Sequence, residues 1–297
     1  MGRLVRVEFF KIGKRWMPYV LICVMIVLLA LFQFGIFAAY KSIETRVGDS
    51  PLPRPQQEET LETLQTLLTL PRATEGIFST AQSAGAVLLV ILTASVVGAE
   101  YAWGTVRTSL SLGVGRSRYL FSKLVTVLGL TLAGLIITFV LGFVFAIATS
   151  MLIGGSIDWG FLGGLYVPRV LAMFGRTWFV LAVPISMTVM VAVLTRSSAV
   201  GIGVGIGYPI LETIVVTVLA NVAGWGEAVQ RYSIGYNMSG VMAWNAMGEQ
   251  VVTGIGLGNR LSGSIPPFWQ AASLLVGYGL AFLTVAFYFF RKNDLTA

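Results

Sequence analysis

Six stretches of this chain stay apolar for longer than a helix in a water-soluble domain requires. They run approximately over 18–39, 78–99, 120–152, 170–194, 198–220 and 268–290. Crossing the hydrocarbon core of a bilayer takes about 20 residues at about 1.5 Å of rise each. Inside lipid, every backbone amide must find its partner within the protein, which a helix achieves alone. The sequence therefore predicts an all-α integral membrane protein with six transmembrane helices. Composition agrees, since 56% of the residues are hydrophobic and 11% charged, against about a quarter charged in soluble domains. The third stretch exceeds one crossing and is expected to tilt or to extend past the bilayer. The first follows a basic head but is too long for a secretory leader, so it reads as a retained span.

Lysine and arginine placement sets an expected orientation. With the N-terminus in the cytoplasm, the inner segments hold Arg3, Arg6, Lys11, Lys14, Arg15, Arg107, Arg116, Arg118, Lys123, Arg196, Arg291 and Lys292, against Glu8, Glu100 and Asp294. Most acids fall in the outer segments, Glu44, Asp49, Glu58, Glu59 and Glu62 among them. The asymmetry predicts a multi-pass protein of the plasma membrane with both termini cytoplasmic. The net charge of +7 is thus topogenic. The basic residues flank apolar spans and form no aromatic-interleaved patch, which argues against nucleic acid as a partner. Cys23 is the single cysteine and there is no histidine, so no metal site is expected.

The chain reads as one transmembrane domain, 1–297. Residues 1–17 are expected to form an in-plane lead-in helix. The first large outer loop, 40–77, contains "EETLETLQTLLTL", which places Leu61, Leu64, Leu67 and Leu68 at helical spacing for a short surface helix. The second, 221–267, is too polar to span and too apolar to be solvated. Two short re-entrant helices in the outer leaflet, before the last span, would reconcile these features. "TRSS" around Arg196 leaves so little chain between the fourth and fifth spans that they must form a tight antiparallel hairpin.

The stretch 100–119 is polar, helix-compatible and lies on the inner face in this topology. Drawn as one helix, Trp103, Val106, Leu110 and Val114 share a stripe, with Glu100, Gly104, Arg107 and Ser111 beside them. Taken alone, this is an amphipathic connector with topogenic arginines. That reading does not explain an acid closing an apolar span and followed by Gly-Thr. The pattern E-x3-G-T-x-R-x2-L from Glu100, then Arg116-Ser117-Arg118 and Lys123 opening the next span, resembles the ABC-2 type exporter permeases. The basic lead-in "LVRVEFFKIGKRW", the large first loop, the long excursion before the last span and the closing "FYFFRKNDL" extend the resemblance. Where that family often has Pro-x-Ser-Arg, this chain has Gly113, Val114, Gly115 and Arg116.

The resemblance implies a type V ABC exporter-like fold and a permease subunit that moves a solute across the plasma membrane. ATP hydrolysis would fall to a separate partner. The implied assembly is a permease homodimer or heterodimer with two copies of an ABC ATPase subunit. No cofactor would bind this chain, Mg-ATP sitting in the partner. Residues 100–119 would be the coupling helix, with Glu100, Gly104, Thr105, Arg107, Arg116 and Arg118 as ATPase contacts. No catalytic residue is implied. The alternatives are a membrane scaffold or immunity protein of the same fold, and a secondary transporter.

Three further features carry expectations. Gly201/Gly205 and Gly203/Gly207 present two small-residue faces for helix packing, and the resemblance to the ABC-2 permeases implies that one of them faces a sister subunit. Glu212 is an acid inside the fifth span, expected to pair with Arg176 on the fourth. The chain lacks G-x4-G-K-[ST], so it should not hydrolyse ATP itself. "RLSGS" and "GIGVGIGYP" are fragments of other motifs out of context.

Overall fold

The computed structural model describes residues 2–45, 54–111, 113–154, 157, 159–222, 225–245 and 266–292. Every regular element among them is helical. In chain order these are α1 (Gly2–Gly13), α2 (Trp16–Thr45), α3 (Arg54–Leu68), α4 (Ala73–Ala102), α5 (Thr105–Ser111) and α6 (Arg116–Gly154). A 3₁₀ turn at Trp159–Leu162 follows, then α7 (Tyr166–Thr195), α8 (Ser198–Val222), α9 (Gly226–Tyr232), α10 (Ile234–Ala243) and α11 (Phe268–Lys292). Six of these, α2, α4, α6, α7, α8 and α11, are long and apolar enough to cross a membrane. They coincide with the six stretches read from the sequence. Most run further, because hydrogen bonding continues into polar flanks where hydropathy falls. The 39 residues of α6 would reach about 58 Å, well past a hydrocarbon core of about 30 Å.

The central element is α7, which packs against α4, α6, α8, α10 and α11. Its buried side chains include Val180, Leu181, Ile185, Val189 and Ala192, so two of the core clusters meet along it. One joins Val96, Val97, Leu120, Val127, Ile185, Val189 and Phe290. The other joins Val180, Val183, Ile234, Val241, Ala271 and Leu275. Pro184 lies inside α7 and Pro209 inside α8. Each proline leaves one carbonyl of its own helix without its usual amide donor.

The molecule has two chemically distinct ends. One, here the basic end, gathers α1, α5, the end of α4, the start of α6 and the end of α11. The α7–α8 turn lies there too. Arg196 closes α7 in a left-handed conformation, φ 54°, which lets α8 begin at Ser198. This is the tight hairpin expected from "TRSS". Its backbone passes so close to α4 that a Cβ built on Gly98 would lie 2.5 Å from the Ser198 Cα.

At the far end, α3 packs against α2, α4 and α6, with Leu68 fully buried. Gln33 Nε2 donates to Thr149 Oγ1 at 2.9 Å, and Thr149 Oγ1 donates to the Leu68 carbonyl at 3.1 Å. The Leu70 amide donates to Ser150 Oγ at 3.2 Å. The leucine-rich segment of the first loop thus rests on the protein. Two short helices, α9 and α10, precede the last crossing, as expected for 221–267. Residues 246–265, including "RLSGS", lie outside the described residues.

These contacts predict opposite outcomes for two glycines. Gly98→Ala should lower stability by about 1–3 kcal/mol through overpacking against backbone. Gly134→Ala, with nothing within 4 Å of its built Cβ, should be neutral or slightly stabilising. Thermal unfolding of the purified protein reads both.

Candidate functional site

The stretch 100–119 is three pieces, not one helix. Glu100 closes α4, α5 is a separate seven-residue helix, and Arg116 opens α6. The breaks fall at Gly104, φ +66°, and Gly113, φ +86°, a left-handed backbone that costs other L-residues roughly 1–2 kcal/mol. The single stripe expected from Trp103 to Val114 is therefore not continuous. Val106 is buried and pins α5 to the core. Trp103 is 63% exposed, with the Arg15 guanidinium 4.8 Å from the centre of its ring. Thr105 Oγ1 donates to the Glu100 carbonyl at 3.3 Å across the break. Arg107 lies on α5, and its side chain is outside the described residues.

Glu100 does not face outward. It is 3% exposed and belongs to a buried ionic cluster, which corrects its expected place among the partner contacts. Lys123, two turns into α6 and 1% exposed, puts its ammonium 2.7 Å from Glu100 Oε2 and 2.9 Å from Glu8 Oε2. Lys11 reaches Glu8 Oε1 at 3.1 Å and Glu100 Oε1 at 4.0 Å. The Tyr119 hydroxyl donates to Glu100 Oε2. The Tyr119 ring lies under the Lys123 ammonium and stacks on Phe290, 6.0 Å between centroids. Two carboxylates and the Lys123 ammonium, from α1, α4 and α6, are thus buried together, and the half-exposed Lys11 adds a second cation from the solvent side. Burial pushes the Glu8 carboxyl up, but the Lys123 and Lys11 charges and hydrogen bonds outweigh it and hold Glu8 below the usual carboxylate range.

The remaining contacts at this end tie in α11. Arg116 Nη1 donates to the Arg291 carbonyl at 2.7 Å, and Arg291 Nε donates to Ser117 Oγ at 2.8 Å. Arg118 is exposed. Of the six expected contact residues, Arg118 presents its side chain outward. Gly104 acts through its backbone, Thr105 and Arg116 are tied internally, and Glu100 is enclosed. Sequence reasoning missed Lys11, Lys123 and Tyr119 as partners of Glu100, and Glu8 as the second acid of the cluster. An acid at position 8 in an otherwise basic lead-in was the available signal.

Glu212 and Arg176 do not pair with each other. Both hold α10. Glu212, on α8, accepts from the Ile234 amide at 2.5 Å, the Gly235 amide at 2.9 Å and the Tyr208 hydroxyl at 2.9 Å. Arg176, on α7, donates to the Trp244 carbonyl at 2.6 Å and to Asn245 Oδ1 at 3.3 Å. The carboxylate sits at the positive end of the α10 dipole and the guanidinium at the negative end, the favourable sense at both. With the carboxylate engaged at one end of α10 and the guanidinium at the other, the two do not meet, which overturns the expected pair.

The glycine faces divide. A Cβ on Gly201 would meet Ala94 at 3.1 Å, and one on Gly205 would meet Val90 at 2.4 Å, so this face is used within the chain against α4. Around Gly203 and Gly207 nothing lies within 4 Å, and their neighbours Val200, Val204, Leu211 and Ile214 are exposed.

Lys123→Met should destabilise the protein by about 3–5 kcal/mol, because it removes the buried cation between two carboxylates and leaves them only the half-exposed Lys11. Thermal unfolding against pH checks the cluster further. The depressed Glu8 stabilises the fold above its ordinary pKa, and that contribution should fade as pH falls below about 4. By contrast, Glu212→Gln or Arg176→Met should cost about 0.3–2 kcal/mol at one end of α10. Limited proteolysis should show faster cleavage around α9 and α10 while the global midpoint moves little.

Comparison with known proteins adds one match. A family model described as ABC-2 family transporter protein covers residues 6–295. No curated protein matches the sequence.

Proposed function

The chain belongs to the ABC-2 transporter family, and from that premise we propose that it is the permease of an exporter powered by a separate ATPase. Membership makes it the membrane component of an ABC transporter. The finer reading is that two copies of an ABC ATPase bind the basic end, which faces the cytoplasm of a cell bounded by the plasma membrane. Both termini lie on that side, and α9 and α10 dip into the outer leaflet. Mg-ATP binds the partner. Two permease chains meet through the outer face of α8, where Gly203 and Gly207 are open.

The observation that carries the reading is the mechanical continuity of the basic end. A bound protein can drive a change only if its contacts differ in energy between two states of the permease. Here α5 projects between two glycine breaks and is anchored by Val106. The Lys123 cluster joins the end of α4 to α1 and α6, and the Arg116–Arg291 contacts join α6 to α11. Force applied at α5 is thereby delivered to several crossings at once. The exposed groups available for docking are Trp103 and Arg118, with Arg107 on α5 itself.

Arg107→Glu combined with Arg118→Glu should leave the melting temperature within a degree or two, since Arg118 is exposed and Arg107 lies on the short helix α5 outside the core crossings. It should reduce co-purification of an ABC ATPase from native membranes by tenfold or more, and abolish the vanadate-sensitive ATP turnover of the complex. Undiminished co-purification would remove the docking assignment. A complex that turns over solute with no ATPase bound would favour a secondary transporter instead.

A further inference from the structure

At the far end, the N-terminal turns of α4 and α7 converge on a cavity of about 420 Å³, a size that holds small ligands. Its walls include Pro71, Arg72, Phe161, Leu165, Tyr166 and Arg169. Arg72 comes from the start of α4 and Arg169 from the first turn of α7. Among the described residues neither arginine forms an ion pair, and no acid lines the cavity. Glu75, the acid in the first turn of α4, is buried and does not contribute to the wall. Two guanidinium groups on one concave surface repel each other unless an anion sits between them.

Two more observations point the same way. The starts of α4 and α7 carry the positive ends of two 30-residue helices, and no side chain caps either one. Tyr166, a wall residue, has a buried hydroxyl whose neighbour, the Thr74 side chain, lies outside normal hydrogen-bond geometry. Beside the cavity, Trp159, Leu162, Leu165 and Val167 are exposed, a mixture suited to the boundary between headgroups and acyl chains.

We propose that this cavity binds the phosphate of an anionic phospholipid, with Arg72 and Arg169 as its cationic ligands and Tyr166 as a further donor. The phosphate would neutralise both guanidinium groups and accept charge-assisted hydrogen bonds. The acyl chains would cover the exposed apolar residues at the rim. A soluble phosphate shares the first interaction and lacks the second. The site lies at the opposite end from α5 and does not rest on the reading of the chain as an ATPase-driven exporter.

The test uses the full-length protein in detergent, with lipid binding followed by native mass spectrometry. Phosphatidylglycerol should bind roughly tenfold more tightly than phosphatidylcholine of the same acyl chains. R72Q/R169Q should erase that preference, while R231Q, at the same end of the molecule, should keep it. All three arginines are absent from the ionic cluster, so melting temperatures should stay close to wild type. Equal binding of the two lipids, or a preference that survives in R72Q/R169Q, overturns the site. Displacement of phosphatidylglycerol by millimolar glycerol 3-phosphate overturns the lipid assignment and leaves a soluble phosphate as the ligand.

Discussion

A single ammonium group organises the basic end. Lys123 is buried between carboxylates from two other elements, and each of the three groups would be costly to bury alone. The interaction is therefore conditional: α1 lies where it does because Glu8 must reach Lys123, and α4 ends where it does because Glu100 must. Burying the pairs yields modest net stability compared with an apolar core, but it fixes register. A one-turn slide of α6 would move Lys123 by about 5.4 Å and strand both acids. Tyr119 and Phe290 extend the same constraint to α11. The short helix α5 hangs from this assembly and inherits its rigidity.

The far end is solved by a different device. Its polar groups are paired with backbone: Thr149 with the Leu68 carbonyl, Glu212 with amides at the start of α10, and Arg176 with a carbonyl at its end. Side chains placed in long crossings thereby add charge to the ends of α10, whose start Ser233 also caps by accepting from the Tyr236 amide. This accounts for an acid and an arginine deep in otherwise apolar helices without invoking a substrate.

The six crossings were legible because lipid imposes a length and a composition on each of them, and both are local properties. The hairpin at Arg196 and the paired helices before α11 followed from loop length and hydropathy for the same reason. What was not legible was pairing. Glu100 looks like a surface contact in a window of twenty residues, since its partners Lys11 and Lys123 lie 89 positions before it and 23 after. Glu212 and Arg176 looked like a pair because opposite charges at similar depth invite it. Nothing in a single sequence announces that a third helix will lie between them and offer better partners. The two glycine faces of α8 were recognised together, but which one is used within the chain depends on the position of Val90 and Ala94.

The clamp on α10 has a geometric consequence. Helices α7 and α8 are joined at one end by a two-residue turn around Arg196, pack directly on each other, and toward the other end both grip α10. They resemble a pair of tongs whose pivot is the left-handed residue and whose jaws close on the same rod. That rod is ten residues long, about 15 Å, and it is held by charge at its two tips and by apolar packing against α7 and α11 along its side. The gape of the jaws is then set by the length of α10. Any widening must first let go of one tip, and any narrowing must tip the rod out of line.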